Sequence, residues 1–310
     1  MTLSTAQPGP NPRPRNSSAW RRFRRNHLAL VSLWVLNILF ALVVFAPALE
    51  TILGLDADAV NLFARVAPPS AVHWLGTDEL GRDLLLRLLH GGRISLLVGF
   101  TAAVTAAVIG TTLGLISGYF GGRVDAVVMR FADGVISLPL LPLLIVLAAI
   151  DPSKLGLPEE ISGSESFSLY RIVVIIALVG WPTVARLVRA ATLSLRQREF
   201  ILVALAQGFG PARIMFRHIL PNTASPILVA TTLTVGNVIL FESVLSFLGL
   251  GIQPPVPSWG NMLTGAQDLI SEAPALAMWP GTLIFLTVIS FNLLGDGLQA
   301  AFDPRSQRGG

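Results

Sequence analysis

The chain has 310 residues, of which 53% are hydrophobic and 13% charged, with a mean hydropathy of +0.68. That balance excludes a water-soluble globular domain, and the absence of cysteine excludes disulfides and thiolate metal sites. The net charge of +4 and pI near 10.5 would suit nucleic acid in a soluble protein; here the arginines cluster at the edges of apolar runs, so no nucleic-acid partner is expected.

Residues 1–27 are rich in Pro, Ser, Asn and Gly and end in the basic block Arg21-Arg22-Phe23-Arg24-Arg25. This composition predicts a disordered tail whose block sits on anionic headgroups. Six apolar runs then reach the length of about 20 helical residues that crosses a hydrocarbon core of about 30 Å. They fall at 28–46, 95–118, 126–150, 171–191, 224–248 and 280–300, which predicts an all-α membrane protein with six transmembrane helices. The first run is membrane-length and lacks a clear small-x-small cleavage site, so it reads as a retained anchor. The organisation is then a tail at 1–27, a first helix with an external amphipathic segment at 28–94, a five-helix core at 95–302 and a tail at 303–310.

The segment after the first span reads HWLGTDELGRDLLLRLLHGGRISL from His73. Thr77 is placed to cap a short helix with Asp78 and Glu79 in its first turn. Asp78/Arg82 and Asp83/Arg87 have ion-pair spacing, and Leu80, Leu84, Leu85 and Leu88 form one apolar face, as in a helix lying on the outer leaflet. In the second span Ala102, Ala106, Gly110, Gly114 and Gly118 recur every four positions. Such a stripe admits a close helix neighbour, within this chain or from a second subunit. The third span carries Pro139 and Pro142, and the fourth Trp181-Pro182; freed carbonyls are tolerable where helices line a cavity or move.

Between the fourth and fifth spans, 196–222 reads RQREFILVALAQGFGPARIMFRHILPN. Its grammar is a helix over 199–207, a break at Gly208-Phe209-Gly210, a second short helix opened by Pro211, and a stop at Leu220-Pro221. The last long loop, 249–279, carries Pro254, Pro255 and Pro257, which favour an ordered wall or lid, and Trp259, which suits an interface belt or a protein contact. Three acids lie at or near membrane depth. Asp133 and Asp296 read as interfacial caps, and Glu242 as either cavity lining or a structural pair.

Lys/Arg placement orients the chain. The N-terminal block, Arg123, Arg130, Arg186, Arg189, Arg196, Arg198, Arg213, Arg217, Arg305 and Arg308 fall on one side, against Arg65, Arg82, Arg87, Arg93, Lys154 and Arg171 on the other, which puts both termini and the 196–222 loop in the cytoplasm. Lys154 is the only lysine and sits in no Gly-Lys-Ser/Thr loop; His27, His73, His90 and His218 have no metal-ligand spacing, and no Gly-x-Ser-x-Gly elbow occurs. No catalytic residue or metal ligand is assigned, so the chain reads as a transport subunit and not as an enzyme.

The 196–222 loop resembles the cytoplasmic "EAA" loop of ABC-importer permeases, with Gly208 and Leu220-Pro221 matching; the leading Glu-Ala-Ala falls on Leu202-Val203-Ala204, of which only the last residue is kept, and Glu199 lies one turn earlier. Three further blocks resemble the branch that imports dipeptides, oligopeptides and nickel. They are Gly76-Thr77-Asp78 with Gly81-Arg82-Asp83 and Arg93-Ile94-Ser95, then FESVLSFLGLGIQPPVPSWGNML from Phe241, then FNLLGDGLQAAFDPR from Phe291. The pattern fits the second, C-type permease of such systems. The resemblance implies the type I importer permease fold in a bacterial cytoplasmic membrane, with no cofactor in this chain. The implied partners are a homologous second permease in a heterodimer, two ABC ATPases binding ATP and Mg, and an extracytoplasmic binding protein delivering peptides. It also implies ATPase docking through Glu199, Ala204, Gly208, Phe209, Gly210, Pro211, Arg213, Phe216, Leu220 and Pro221. Glu242 and Trp259 are the candidates for the substrate path. Nickel or another small solute stands as the alternative cargo. A proton-coupled secondary transporter using the three acids would leave 196–222 without a purpose, and a membrane scaffold would leave the external blocks unexplained.

Overall fold

The structure, a computed structural model, describes residues 15–151, 154, 158 and 164–302. In lipid every backbone polar group must be bonded within the chain, and the described residues answer with helices: α1 (Arg15–Phe23), α2 (His27–Val44), α3 (Ala46–Leu53), α4 (Leu84–Phe120), α5 (Gly122–Ser137), α6 (Leu140–Ala149), α7 (Glu165–Arg196), α8 (Glu199–Ala206), α9 (Pro211–Phe247), α10 (Trp259–Gln267) and α11 (Ala275–Phe302). Five of these, α2, α4, α7, α9 and α11, are long and apolar enough to cross a membrane.

The sixth crossing, expected as one helix over 126–150, is broken. Helices α5 and α6 meet at 90° around Pro139. A residue before proline is pushed out of the helical region, and Leu138 is extended at φ −82°, ψ 139°. The tail expected to be disordered is helical from Arg15, and Phe23 is buried against Ala301 of α11; the rest of that expectation, over 1–14, and the 303–310 tail lie outside the described residues.

The bundle is drawn together by residues without side chains. Helices α4 and α7 run parallel so closely that a Cβ at Gly110 would lie 2.6 Å from the Trp181 carbonyl oxygen, one at Gly114 2.6 Å from that of Ala185, and one at Gly118 2.7 Å from Thr192 Cβ. The four-residue stripe therefore packs inside the chain. Helix α9 runs antiparallel to α4 with Ile239 over Gly99, and α11 joins α9 and α2 through Gly295 against Leu233 and Gly297 against Ala29. Apolar side chains gain nothing by leaving lipid, so van der Waals contact of this kind holds the helices. Helix α5 is tied to α7 by the ion pairs Asp125–Arg189 and Asp133–Arg186; Asp133 is thus a partnered surface carboxylate, and Asp125, which the hydropathy pattern did not flag, is a partnered half-buried one.

At the end of the bundle opposite the α7–α9 connection, the predicted outer-leaflet helix does not form, and Thr77 caps nothing. Its hydroxyl donates to Ala64 O and accepts from Ala67 N. The cap of α4 is Asp83, whose Oδ1 accepts from Leu86 N at 2.9 Å. Asp78 does pair with Arg82 at 2.7 Å, but Asp83 pairs with His73 and Arg87 with Asp58. Helix α4 is 37 residues long, about 55 Å at 1.5 Å per residue, so it takes in Leu84, Leu85 and Leu88 of the predicted face and carries Leu84 and Leu88 into the core, while Leu80 stays outside it and exposed. Gly81, at φ +75°, lies under Asn61, where a Cβ would stand 1.8 Å from a carbonyl oxygen.

Candidate functional site

Three places carry the residues singled out by sequence. The first is a groove of about 950 Å³ bounded by the α5–α6 bend, α7, α9 and α11. One face of α9 lines it from Asn222 through Ser225, Val229, Leu233 and Asn237 to Phe241, the spacing of a helix stripe. Thr183 faces it from α7 and Gln299 from the end of α11; among the described residues none that lines it is charged. Pro226 and the residues flanking Pro139 border it, whereas Pro182 is buried inside α7 beside Trp181, which stacks on Phe131. Neither Glu242 nor Trp259 lines this groove.

Those two residues belong instead to a sealed polar node. Glu242 is fully buried. Ser95 Oγ donates to its Oε2 at 3.1 Å and Ser246 Oγ to its Oε1 at 2.8 Å, with Ser243 and Ser258 also hydrogen-bonding it. The serines in turn accept backbone N–H groups of the long loop: Trp259 N to Ser95 Oγ at 3.2 Å, Ile252 N to Ser246 Oγ at 3.0 Å and Asn261 N to Ser258 Oγ at 3.2 Å. The Trp259 indole is buried against Gly92 and donates to Leu88 O at 2.9 Å. A buried carboxylate is tolerable only with its lone pairs satisfied, and here α4, α9 and the loop leading into α10 converge to do so. The substrate-path expectation for Glu242 and Trp259 thus meets a closed structural joint. Of the two readings of Glu242, the structural one describes its surroundings; Asp296 is exposed near the end of α11.

The third place is the turn between α7 and α9. Helix α8 starts at Glu199, and the chain reverses at Gly208 with φ +77°, where only glycine is unstrained. Pro211 opens α9, as its spacing predicts. Leu220-Pro221, expected to stop the second helix, does not. A π-helical turn over Ile214–Ile219 carries the chain into the long helix, with Leu220 N bonding back to Met215 O. Proline lacks the N–H an α-helix needs at that point, and a widened turn absorbs the mismatch. Phe209 is half-buried, stacked 6.0 Å from His218 with the Arg213 guanidinium over its ring. Ala204 is buried and Leu220 half-buried, while Glu199, Gly208, Gly210, Pro211, Arg213, Phe216 and Pro221 are exposed. So are Phe200, Leu202, Val203 and Leu205, none of them among the expected docking residues, although Leu202 and Val203 stand where the motif has Glu-Ala. The unbroken apolar run from Phe200 to Ala206, in a loop otherwise rich in arginine, is the signal that could have marked them.

Comparison with known proteins joins these places. Residues 110–308 match the model of the binding-protein-dependent transport system inner membrane component family, and residues 17–64 match that of the N-terminal transmembrane domain of oligopeptide transport permease C. The chain belongs to the binding-protein-dependent permease family. Its relatives match along nearly the whole length. It is 41% identical to the dipeptide transport system permease protein DppC of Alkalihalophilus pseudofirmus, covering 98% of this chain and 96% of that one. It is 37% identical to the oligopeptide permease OppC of Bacillus subtilis (94% and 91%) and 40% identical to the glutathione permease GsiD of Pectobacterium atrosepticum (92% and 90%). Among solved structures, inward-facing MetNI methionine ABC transporter aligns with a TM-score of 0.53 at 21% identity, over 70% of this chain and 97% of that one. The fold is therefore the all-helical type I importer permease fold, and the permease is a multi-pass protein of the cytoplasmic membrane. Membership in this family sets aside both the secondary transporter and the scaffold.

Proposed function

We propose that this permease forms half of the pathway by which an ATP-driven importer moves peptides across the cytoplasmic membrane. The observation that carries the reading is the uncharged groove, large enough for a small ligand at about 950 Å³, in a chain whose full-length relatives are named for dipeptide, oligopeptide and glutathione transport. A homologous permease would supply the other wall, two ABC ATPases would bind ATP and Mg, and an extracytoplasmic binding protein would deliver cargo. Both termini and the α7–α9 turn lie in the cytoplasm on this reading, since the arginine bias of the sequence favours that side.

The α7–α9 turn then docks on an ATPase. Phe209 does not itself insert in this account. It braces the turn through His218 and Arg213, and the docking surface is the exposed face of α8 with Phe216 and Pro221, supported by Ala204 and Leu220 beneath. Closure of the ATPases would push this element, and α9 is continuous from it to Phe247 past the groove, so a shift at the turn reaches the groove wall through one rigid helix. Purification of the complex with its binding protein, followed by mass analysis of the released cargo, tests the reading: peptides are expected, and a metal complex as the sole cargo would overturn it.

A further inference from the structure

We infer that the groove holds its cargo by the peptide main chain, through the uncharged amide and hydroxyl side chains of α7, α9 and α11, with Asn237 as the central positioning residue. This deepens the peptide-importer reading and rests on it. The polar residues facing the groove are Thr183, Asn222, Ser225, Thr234, Asn237 and Gln299. Two of them are partly engaged within their own helix, Asn222 with His218 O at 2.7 Å and Thr234 with Ala230 O at 2.8 Å. The side-chain amides of Asn237 and Gln299 and the Thr183 hydroxyl have no hydrogen-bond partner among the described residues, and all three side chains are exposed toward the groove.

Asn237 stands well inside α9, between Val235, Val238 and Ile239 of the apolar core. A free carboxamide at that depth is costly against hydrocarbon, so its place on the groove face calls for a polar occupant or water. An amide side chain offers one acceptor and two donors, which match the C=O and N–H of an extended peptide and are indifferent to the side chains between them. Among the described residues of this chain none that lines the groove is charged, so this wall offers nothing to pair with a peptide's side-chain charge or to replace the hydration of a bare divalent cation, which takes oxygen or nitrogen ligands in number. The apolar remainder, Val229, Leu233 and Phe241 among it, accommodates side chains by contact alone.

The test uses the complete transporter with its binding protein in proteoliposomes and three labelled peptides that differ only in one residue, Ala, Glu or Lys. Uptake is normalised to each peptide's affinity for the binding protein. Wild type is expected to carry all three at similar normalised rates. Asn237→Leu is expected to lower all three by about fivefold, the factor one lost hydrogen bond carries, with ATPase activity and assembly retained. Asn237→Asp is expected to favour the Lys over the Glu peptide by about fivefold or more, because it places a lone charge in an uncharged groove; a purely structural role for Asn237 would not create charge selectivity. Thr183→Val, isosteric and on α7 instead of α9, is expected to lower all three in the same way should the Asn237 variants assemble poorly. Wild type that sorts the three by charge, or variants that leave rates and selectivity unchanged, would overturn the inference while leaving peptide import intact; wild type that carries no peptide would overturn the underlying reading.

Discussion

Trp259 and Glu242 meet across a separation no local pattern reveals. Ser95 bridges them, accepting from Trp259 N and donating to Glu242, and it lies 164 residues from the one and 147 from the other. The sequence displayed an acid at membrane depth and a tryptophan in a proline-rich loop; serines at 95, 243, 246 and 258 carry no periodic signal, so their convergence was invisible. Two expectations follow. Trp259→Ala removes a core side chain with its bond to Leu88 O, and such truncations cost about 3–5 kcal/mol. The variant should lose assembled complex, measured by thermal melting of the detergent-extracted protein, and a wild-type melting curve would show that Trp259 is only a surface anchor. Glu242→Gln keeps a carbonyl acceptor among the serines, whereas Glu242→Ala leaves buried hydroxyls unsatisfied at about 1–3 kcal/mol each. Melting should rank wild type above Gln above Ala, and a reversed order would remove Glu242 from its role as the acceptor of the joint.

Elements were legible where one residue type dictates the backbone. The four-residue recurrence of Ala and Gly in α4 announced a close neighbour, though only the structure names it as α7. Gly114→Val should separate these helices and lower the melting midpoint sharply, and truncating Val188 should not rescue it, because the nearest obstacle is the Ala185 carbonyl oxygen. The reversal at Gly208 and the opening of α9 at Pro211 were likewise readable. The run of α9 past Pro221 was not, since a π-turn leaves no compositional mark. Gly208 has φ +77°, a value closed to proline and costing other L-residues about 1–2 kcal/mol. Gly208→Pro is therefore expected to insert in the membrane but to lose substrate-stimulated ATPase activity in the assembled transporter, while Gly208→Ala keeps part of it; full coupling in the proline variant would detach the turn from the ATPases.

At the scale of the molecule, composition alone announced a helical membrane protein, and each expected span falls on a helix or the bent pair, although α4 and α9 begin 11 and 13 residues before the expected starts at 95 and 224. The broken third crossing escaped because hydropathy does not register direction, and Pro139 could have kinked the helix gently or, as found, turned it through 90°. Orientation has its own measurement. The chain has no cysteine, so single cysteines at Gln207 or Gln253 report their side without background. Gln207→Cys should react with a membrane-impermeant maleimide only in inverted vesicles and Gln253→Cys only in intact cells; the opposite pattern would invert the molecule. On the proposed function, peptides cross under the drive of partner ATPases acting through the α7–α9 turn. Peptide uptake into proteoliposomes holding the full complex decides it, with ATP supplied on the ATPase side and Gly208→Pro as the internal control. Uptake that requires ATP and binding protein and falls to background in the proline variant is the predicted result; uptake driven by a proton gradient without ATP, or unaffected by the variant, would contradict it.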